Sequence, residues 1–386
     1  MEKAKITQGL KKSTMIIVLV LVYIFFTVQT GGNMILAQNV NNLIAQNAYV
    51  FILATGMLLC ILTGGNIDLS VGSVVCFIGA IGAQLMVTLH LGTFLSILVM
   101  ILCGILIGAW QGFWIAYMRI PPFIVTLAGM LIFRGLSNVV LNGMTIAPMP
   151  DNYLVLFNGF IPDFFGGKGI NITCVLAGII AVVIYVLMTL KGRMNKVKKG
   201  YEVPAIGGVL AKMVIISVVI IVFMVRLAQY RGIPNVLIWI TAIVLIYWYI
   251  TSKTTTGRHF YAIGGNEKAA KLSGINTNKV YFLAYANMGL LAGVAAMVTM
   301  ARLNSANPTA GNNYELDAIG SCFIGGASAY GGIGTIPGVI IGAILMGVIN
   351  LGMFIMGVDA NYQKVVKGGV LLAAVVFDVV SKRKNA

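Results

Sequence analysis

Charged side chains are scarce in this sequence, at only 9% of 386 residues. Soluble domains carry about 25%, so the composition excludes an ordinary soluble globular protein. Hydrophobic residues make up 59% of the chain, and the mean hydropathy is +0.96. Forty-six glycines suit helices that pack closely in lipid. The sequence therefore predicts a polytopic membrane protein of the all-α class.

Residues that usually build catalytic or metal sites are also few. The two histidines, His90 and His259, lie far apart, and the five cysteines show no CxxC or other metal spacing. No G-x-x-x-x-G-K-[ST] phosphate loop occurs. We therefore predict no metal site, no bound cofactor and no ATP hydrolysis by this chain.

Acidic residues number 10 against 26 lysines and arginines, which gives a net charge of +16. The basic segments are not interleaved with aromatic residues as nucleic-acid grooves are, so we predict no nucleic-acid partner. Basic residues instead mark cytoplasmic segments of membrane proteins. Nineteen of the 26 fall in segments that become cytoplasmic if both termini are inside, six fall outside, and Arg134 lies within a span.

Apolar runs of about 20 residues predict membrane spans. About twelve spans or broken spans are predicted, the first of them uncleaved, near 13–30, 48–64, 68–88, 92–117, 122–142, 170–190, 207–227, 235–252, 279–301, 315–330, 336–357 and 364–381. An even number places both termini on the cytoplasmic side. The whole chain, 1–386, is predicted to form a single transmembrane domain.

Five connecting regions complete this prediction. We expect cytoplasmic tails at 1–12 and 382–386, a basic cytoplasmic loop at 191–206, a long cytoplasmic loop at 253–278, and an inserted helix pair at 207–252. A short helix between the first two spans is expected to lie on the outer face. The outer loop near 143–168 either caps the external mouth, receives a soluble partner or forms an interfacial aromatic belt.

The long cytoplasmic loop contains the stretch NEKAAKLSGI. Asn266 is suited to cap a short helix and Gly274 to end it. Ala269, Ala270 and Leu272 would form a small apolar face for docking into a groove on a soluble partner. The alternative is an ordinary connection, although nearly thirty residues is long for one.

Two similar stretches, IDLSVGSVVCFIGA and LDAIGSCFIGGA, each begin with an aspartate, Asp68 or Asp317. Short glycine-interrupted segments at corresponding positions are typical of inverted repeats, although chance similarity is the alternative. A bare charge in lipid is expensive. We expect each aspartate to lie in the first turn of a helix and cap its backbone N–H groups, rather than bind substrate.

Arg134 lies within a predicted span and either snorkels outward or faces a cavity. Polar groups in the broken spans are candidates for lining a pathway. The pathway or structural candidates are Asn66, Asp68, Ser70, Ser73, Arg134, Asn138, Glu315, Asp317, Ser321 and Asn350.

Five stretches in order resemble one family: TGGNIDLSVGS, RIPPFIVTLAGMLIFRG, TTTGRHFYAIGGNEKAAKLSGI, YELDAIGSCFIGGASAYGGIGT and PGVIIGAILMGVINLGM. They are similar to the membrane permeases of bacterial ABC importers for monosaccharides, of the ribose, galactose and xylose types. The resemblance runs from about 35 to 380 and is interrupted at 165–250. There the extra spans depart from the shorter members and resemble the longer xylose and multiple-sugar permeases.

The resemblance implies a transport subunit of a bacterial plasma (inner) membrane that pairs with a second copy. It implies an ABC ATPase with two fused ATP-binding domains that carries ATP and Mg²⁺ and docks on the cytoplasmic loop. An extracytoplasmic binding protein would deliver a xylose, galactose, glucose or arabinose type of sugar. The implied ATPase-coupling residues are Gly264, Gly265, Asn266, Glu267, Lys268, Ala269, Ala270, Leu272 and Gly274.

Two alternatives stay open from the sequence. Nucleoside and autoinducer-type ABC permeases share these motifs. An ion-coupled secondary transporter would also fit the intramembrane acids, though the long cytoplasmic loop fits it less well. Copurification with an ATPase, or transport on an ion gradient without ATP, discriminates between the classes.

Overall fold

The computed structural model describes residues 2–201, 203 and 205–383, and this part of the chain is helical without a β-sheet. The end of the predicted C-terminal tail, 384–386, lies outside it. The helices are α1 Glu2–Gln29, α2 Ala37–Gln46, α3 Ala48–Leu62, α4 Val71–Ala83, α5 Thr93–Ala116, α6 Pro122–Leu141, α7 Asp151–Asn158, α8 Ile172–Lys198, α9 Ile206–Ala228, α10 Asn235–Lys253, α11 Thr255–Gly265, α12 Glu267–Leu272, α13 Thr277–Leu303, α14 Tyr314–Ile324, α15 Ile336–Ile355 and α16 Ala360–Arg383.

Nine helical segments of the described residues are long and apolar enough to span a membrane, and each coincides with a predicted span. The other three predicted spans are shorter or less apolar. They correspond to the apolar part of α1 at Met15–Gln29, to the eleven-residue α14, and to α16. Gly325 and the left-handed Gly326 end α14 (φ +87° at Gly326), which makes it a half-span.

The sequence predicts a surface helix before the second span, and the predicted position of this helix is wrong. Helix α2 continues almost directly into α3, and together they form one apolar segment, Ala37–Leu62, in which 89% of an 18-residue apolar stretch is buried within the protein. Its Val40, Asn41, Ile44 and Ala45 are buried. Gln38 of the same helix is exposed, so one face of α2, including the polar Asn41, packs within the bundle.

Helix α13 lies at the centre of the bundle and packs against α3, α4 and α5. The packing on α5 depends on glycines, because a Cβ on Gly289 would lie 2.2 Å from the carbonyl oxygen of Gly104. A Cβ on Gly108 would meet the carbonyl oxygen of Tyr285 at 2.4 Å. The predicted glycine repeat of α5 thus brings two backbones together, as small residues do in membranes.

Helices α8 and α9 pack mainly on each other. Only Cys174 and Gly178 of α8 are buried, so most of this hairpin is available to lipid. Helix α8 also continues through Lys198, so the predicted basic loop at 191–206 is helical over its first half. The helix ends where Gly200 adopts a left-handed conformation (φ +74°).

Segments predicted to share one side of the membrane meet at one end of the bundle. The loop after α5 contacts the predicted cytoplasmic loop through Arg119 and Glu267. At the other end, Ile146 pairs with Ala306 in a β-bridge, and both residues belong to predicted outer loops. Lys367, one of the six basic residues that the sequence places on the outer side, lies near the beginning of α16.

Candidate functional site

The stretch NEKAAKLSGI forms the predicted short helix, α12. The Asn266 side chain accepts a hydrogen bond from the backbone N–H of Ala269 (3.0 Å), and Gly274 follows with φ +83°. Ala270 packs inward and is 5% exposed, whereas Leu272 is 90% exposed. Lys268 and Ala269 are exposed beside Leu272. The helix therefore presents a large apolar side chain where no membrane helix covers it.

Arg119 holds α12 against the bundle. Its guanidinium donates to Glu267 (2.7 Å), to the hydroxyl of Thr277 (3.0 Å) and to the side-chain oxygen of Asn278 (2.5 Å). The hydroxyl of Tyr281 also donates to Glu267 (3.1 Å). Burial raises the pKa of the Glu267 carboxyl, but the hydrogen bonds from Arg119 and Tyr281 outweigh it, so that pKa lies below its usual value.

Three glycine-containing segments meet close to this clamp in the chain: the end of α11, the loop after α3 and the loop after α14. A Cβ on Gly264 would lie 1.9 Å from the carbonyl oxygen of Leu62, and the same oxygen accepts a hydrogen bond from Gly332 N–H (3.1 Å). A Cβ on Gly65 would lie 1.9 Å from the carbonyl oxygen of Ala329. The predicted coupling segment thus touches the end of α3 and the loop between α14 and α15 through backbone contacts that tolerate no side chain. We call this contact the glycine junction.

Asp68 does not lie in the first turn of a helix, and that expectation is wrong. Helix α4 begins at Val71, and Asp68 lies in the preceding loop, where it is 2% exposed. Its Oδ1 accepts hydrogen bonds from the N–H (2.8 Å) and the hydroxyl (2.7 Å) of Ser70, and Gln111 of α5 donates to that hydroxyl (2.6 Å). Asp68 therefore holds a turn before the helix and ties it to α5.

Asp317 lies in the first turn of α14, as predicted, but it caps no backbone N–H. Its Oδ2 accepts from Lys367 of α16 (3.0 Å) and from the hydroxyl of Tyr49 of α3 (2.5 Å). The carboxylate is 1% exposed and its Oδ1 has no partner within the described residues. Lys367 of α16 and Tyr49 of α3 lie within hydrogen-bond distance of this carboxylate. The carboxylate therefore bonds to side chains of neighbouring helices and not to the N–H groups of α14.

Arg134 neither snorkels nor points into an open cavity. Its guanidinium donates to the carbonyl oxygens of Pro308 (3.1 Å) and Ala310 (2.7 Å), so it holds the loop that precedes α14. A Cβ on Gly72 would lie 2.6 Å from the Glu315 carboxylate, which places Glu315 at the start of α4. Both side chains therefore support the contact between α4 and α14.

The remaining pathway candidates are dispersed. Asn66 donates within its own loop to Thr63, Asn138 is exposed on α6 and donates to the backbone, and Asn350 donates to the side chain of Asn47 (3.2 Å). Ser73 and Ser321 are buried in helix packing. The structure does not bring these residues together in one cavity, and their assignment to a pathway stays a prediction.

A cavity of about 520 Å³ opens at the end of α13 away from α12. Its wall includes Gln46, Tyr49 and Tyr314, none of which the sequence singled out. Arg119 was counted only as a cytoplasmic charge, and Lys367 as an outer one. Their roles depend on partners 148 and 50 residues away, so no local pattern indicates them.

Comparison with known proteins gives a consistent result. The family model for the branched-chain amino acid transport system permease component matches residues 39–375. The xylose transport system permease protein XylH of Haemophilus influenzae is 38% identical over 370 residues, covering 96% of each chain. XylH of Escherichia coli K12 is 36% identical over 98% of this chain and 94% of its own.

The ribose import permease protein RbsC of Escherichia coli K12 is 35% identical over 96% of this chain and 94% of its own length. No solved structure matches the chain. The match to the family model covers most of the chain, including the loop that holds α12, the glycine junction and both aspartates. The chain therefore belongs to this family of permease components of transport systems, as a multi-pass membrane protein.

Proposed function

We propose that this chain is the transmembrane permease of an ATP-driven importer that carries a monosaccharide across the bacterial plasma membrane. The observation that carries the proposal is α12, a capped helix that is clamped to the bundle and presents Leu272 almost fully exposed. A large apolar side chain on a short exposed helix is suited to dock in an apolar groove of a partner.

The glycine junction supports ATP-driven coupling over an ion-coupled mechanism. Movement of α12 reaches the end of α3 and the loop between α14 and α15 through one layer of backbone contacts, because Gly264 touches Leu62 and Gly332. A docked ATPase that moves α12 therefore moves both broken segments together. Packed contacts and rigid helices of this kind can carry energetic coupling between two sites.

The substrate class follows from the relatives. The proteins that match nearly the full length of this chain carry xylose or ribose in their names. The family name refers to branched-chain amino acids, but the xylose and ribose permeases are full-length relatives. We therefore assign a monosaccharide, with a pentose such as xylose as the first candidate.

The assembly follows from the same proposal. A second copy of the chain completes the pathway, and an ATPase with two fused ATP-binding domains docks on Leu272 of each copy. ATP and Mg²⁺ bind to that partner. An extracytoplasmic binding protein delivers the sugar to the end of the bundle opposite α12.

Reconstitution tests the proposal. The permease is placed in liposomes with the ATPase and binding protein encoded by neighbouring genes, and uptake of labelled D-xylose, D-ribose and D-galactose is measured. We expect one of these sugars to accumulate only when ATP is present on the ATPase side. Uptake that follows an imposed ion gradient and needs no ATP contradicts the proposal.

Leu272→Glu tests the docking surface within the same system. Because Leu272 packs on nothing in this chain, the fold should be unaffected, while sugar-stimulated ATPase activity falls at least about tenfold if its burial at the interface is worth about 2 kcal/mol. Leu89→Glu is the matched control, since Leu89 is 62% exposed at the opposite end. Equal activity in the two variants contradicts docking through α12.

A further inference from the structure

The cavity at the end of α13 has not been assigned a role. It is bounded by α2, α3, α13, α14 and the end of α15. Tyr49 in its wall lies 13 residues from the end of α3 at Leu62, or about 20 Å along the helix at 1.5 Å per residue. The cavity is therefore well separated from the glycine junction and lies towards the end where a cargo would enter.

The wall combines a flat aromatic surface with polar groups. The rings of Tyr49 and Tyr314 stack with their centroids 3.5 Å apart and their planes 10° from parallel. The Tyr49 hydroxyl is engaged, because it donates to Asp317, which also binds Lys367. The aromatic pair is thus fixed in place by an ion pair behind it, and it forms a rigid wall.

Polar side chains of the wall remain available. Arg302 donates one long hydrogen bond, to Asn42 (3.4 Å), although a guanidinium carries five N–H groups. The Gln46 amide makes no side-chain hydrogen bond within the described residues, and it contributes both donors and an acceptor. Thr299 adds a hydroxyl to the same wall.

This combination matches one kind of ligand. A monosaccharide has apolar C–H faces that pack on aromatic rings and hydroxyls around its edge that need both donors and acceptors. Ligand cavities typically measure about 300–1,000 Å³, and this one measures about 520 Å³. A free amino acid fits less well, because Arg302 would bind its carboxylate but the wall offers no acidic side chain for its ammonium group.

We infer that this cavity is a binding compartment for a monosaccharide in transit, with the Tyr49–Tyr314 pair as its stacking wall and Gln46, Thr299 and Arg302 as its polar partners. The inference rests on the proposed function, since it takes the proposed cargo as the ligand. The Tyr49 hydroxyl is bonded to Asp317 and does not bind the sugar, so few groups hold the sugar in the cavity. Such weak binding suits release to the other side.

Thiol protection tests the compartment without any partner protein. In the purified permease, Gln46→Cys is labelled with a charged methanethiosulfonate while D-xylose, D-ribose or D-galactose is titrated. We expect labelling to slow about threefold once a sugar reaches twice its dissociation constant, since the free fraction is 1/(1 + [L]/Kd). Gln229→Cys, at an exposed position outside the cavity, should show no slowing.

The native cysteines permit this measurement, because four of the five are buried and Cys103 is half-buried in an apolar helix. Labelling that no sugar slows, or that L-leucine slows and sugars do not, overturns the inference. Either result is independent of ATP-driven uptake and so leaves the proposed function to be judged by its own experiment.

A transport measurement completes the test. Gln46→Trp fills part of the cavity, and we expect uptake of the transported sugar to fall about tenfold relative to Gln229→Trp, a change of about 1.4 kcal/mol. If the wild-type chain transports a sugar and the two tryptophan variants transport it equally, the cavity assignment fails alone. If the wild-type chain transports none, the proposed function fails.

Discussion

The two similar stretches that contain Asp68 and Asp317 place these aspartates in different electrostatic surroundings. Both carboxylates are almost fully buried, at 2% and 1% exposure. Asp317 is paired with Lys367 of another helix. Asp68 is in no ion pair within the described residues and is held by Ser70, which Gln111 supports.

The difference shows that one sequence pattern serves two structural purposes. Asp317 joins three helices through a charge pair, so its loss affects the packing of α3, α14 and α16. Asp68 stabilises a local turn through neutral donors. Breaking a buried ion pair by removing one partner typically costs about 3–5 kcal/mol, whereas a single neutral hydrogen bond contributes about 1 kcal/mol.

The largest effect is therefore expected on the Asp317 side. Lys367→Met leaves the Asp317 carboxylate buried with only the Tyr49 hydroxyl as a partner, and we expect the free energy of unfolding to fall by about 3–5 kcal/mol. The measurement is thermal unfolding of the purified permease in detergent.

Lys364→Met is the control, because Lys364 is exposed on the same helix and should change stability little. The double variant Asp317→Asn/Lys367→Met removes both charges and should recover part of the loss. If Lys367→Met unfolds at the same temperature as Lys364→Met, the ion pair does not hold the second stretch in the bundle.

The next effect concerns the glycine junction, which involves residues just outside the two stretches. Gly65→Ala places a Cβ 1.9 Å from the carbonyl oxygen of Ala329 and at φ +76°. We expect a loss of about 2–4 kcal/mol in the same unfolding measurement, from backbone strain of about 1–2 kcal/mol plus the displacement of the neighbouring loop.

Gly143→Ala separates the two contributions, because Gly143 has a similar φ of +68° and nothing within 4 Å of its Cβ position. We expect this control to lose only the strain term. Equal losses in the two variants would show that Gly65 is needed for its backbone angle alone and that the glycine junction is not tightly packed.

The sequence was most informative where structure is local. Apolar runs located the nine long helices, although the segment Ala37–Leu62 starts earlier and Ile172–Lys198 ends later than predicted. Asn266 and Gly274 correctly bounded α12, because capping depends on neighbours in the chain. The placement of α2 was wrong, since its polar composition suggested a surface. The helix is partly buried because it is continuous with α3, and hydropathy alone does not predict this continuity.

The candidate site was only partly predictable for the same reason. The coupling loop has a distinct local pattern, whereas Arg119 and Lys367 acquire their roles from residues far away in sequence. The cavity wall combines Tyr49 with Tyr314, which are 265 positions apart. Side chains that meet only through helix packing carry no signal in a single sequence.

The smallest effect is expected on the Asp68 side. Asp68→Asn keeps a side-chain oxygen that accepts from Ser70 and removes a buried charge that no cation compensates, so we expect the free energy of unfolding to change by less than about 1 kcal/mol. Asp317→Asn, measured in parallel, removes the carboxylate that pairs with Lys367, leaves that ammonium without its charge partner and should cost at least about 2 kcal/mol more. If Asp68→Asn lowers the free energy of unfolding as much as Asp317→Asn does, the fold depends on the charge of both aspartates. The contrast between the two stretches would then be wrong.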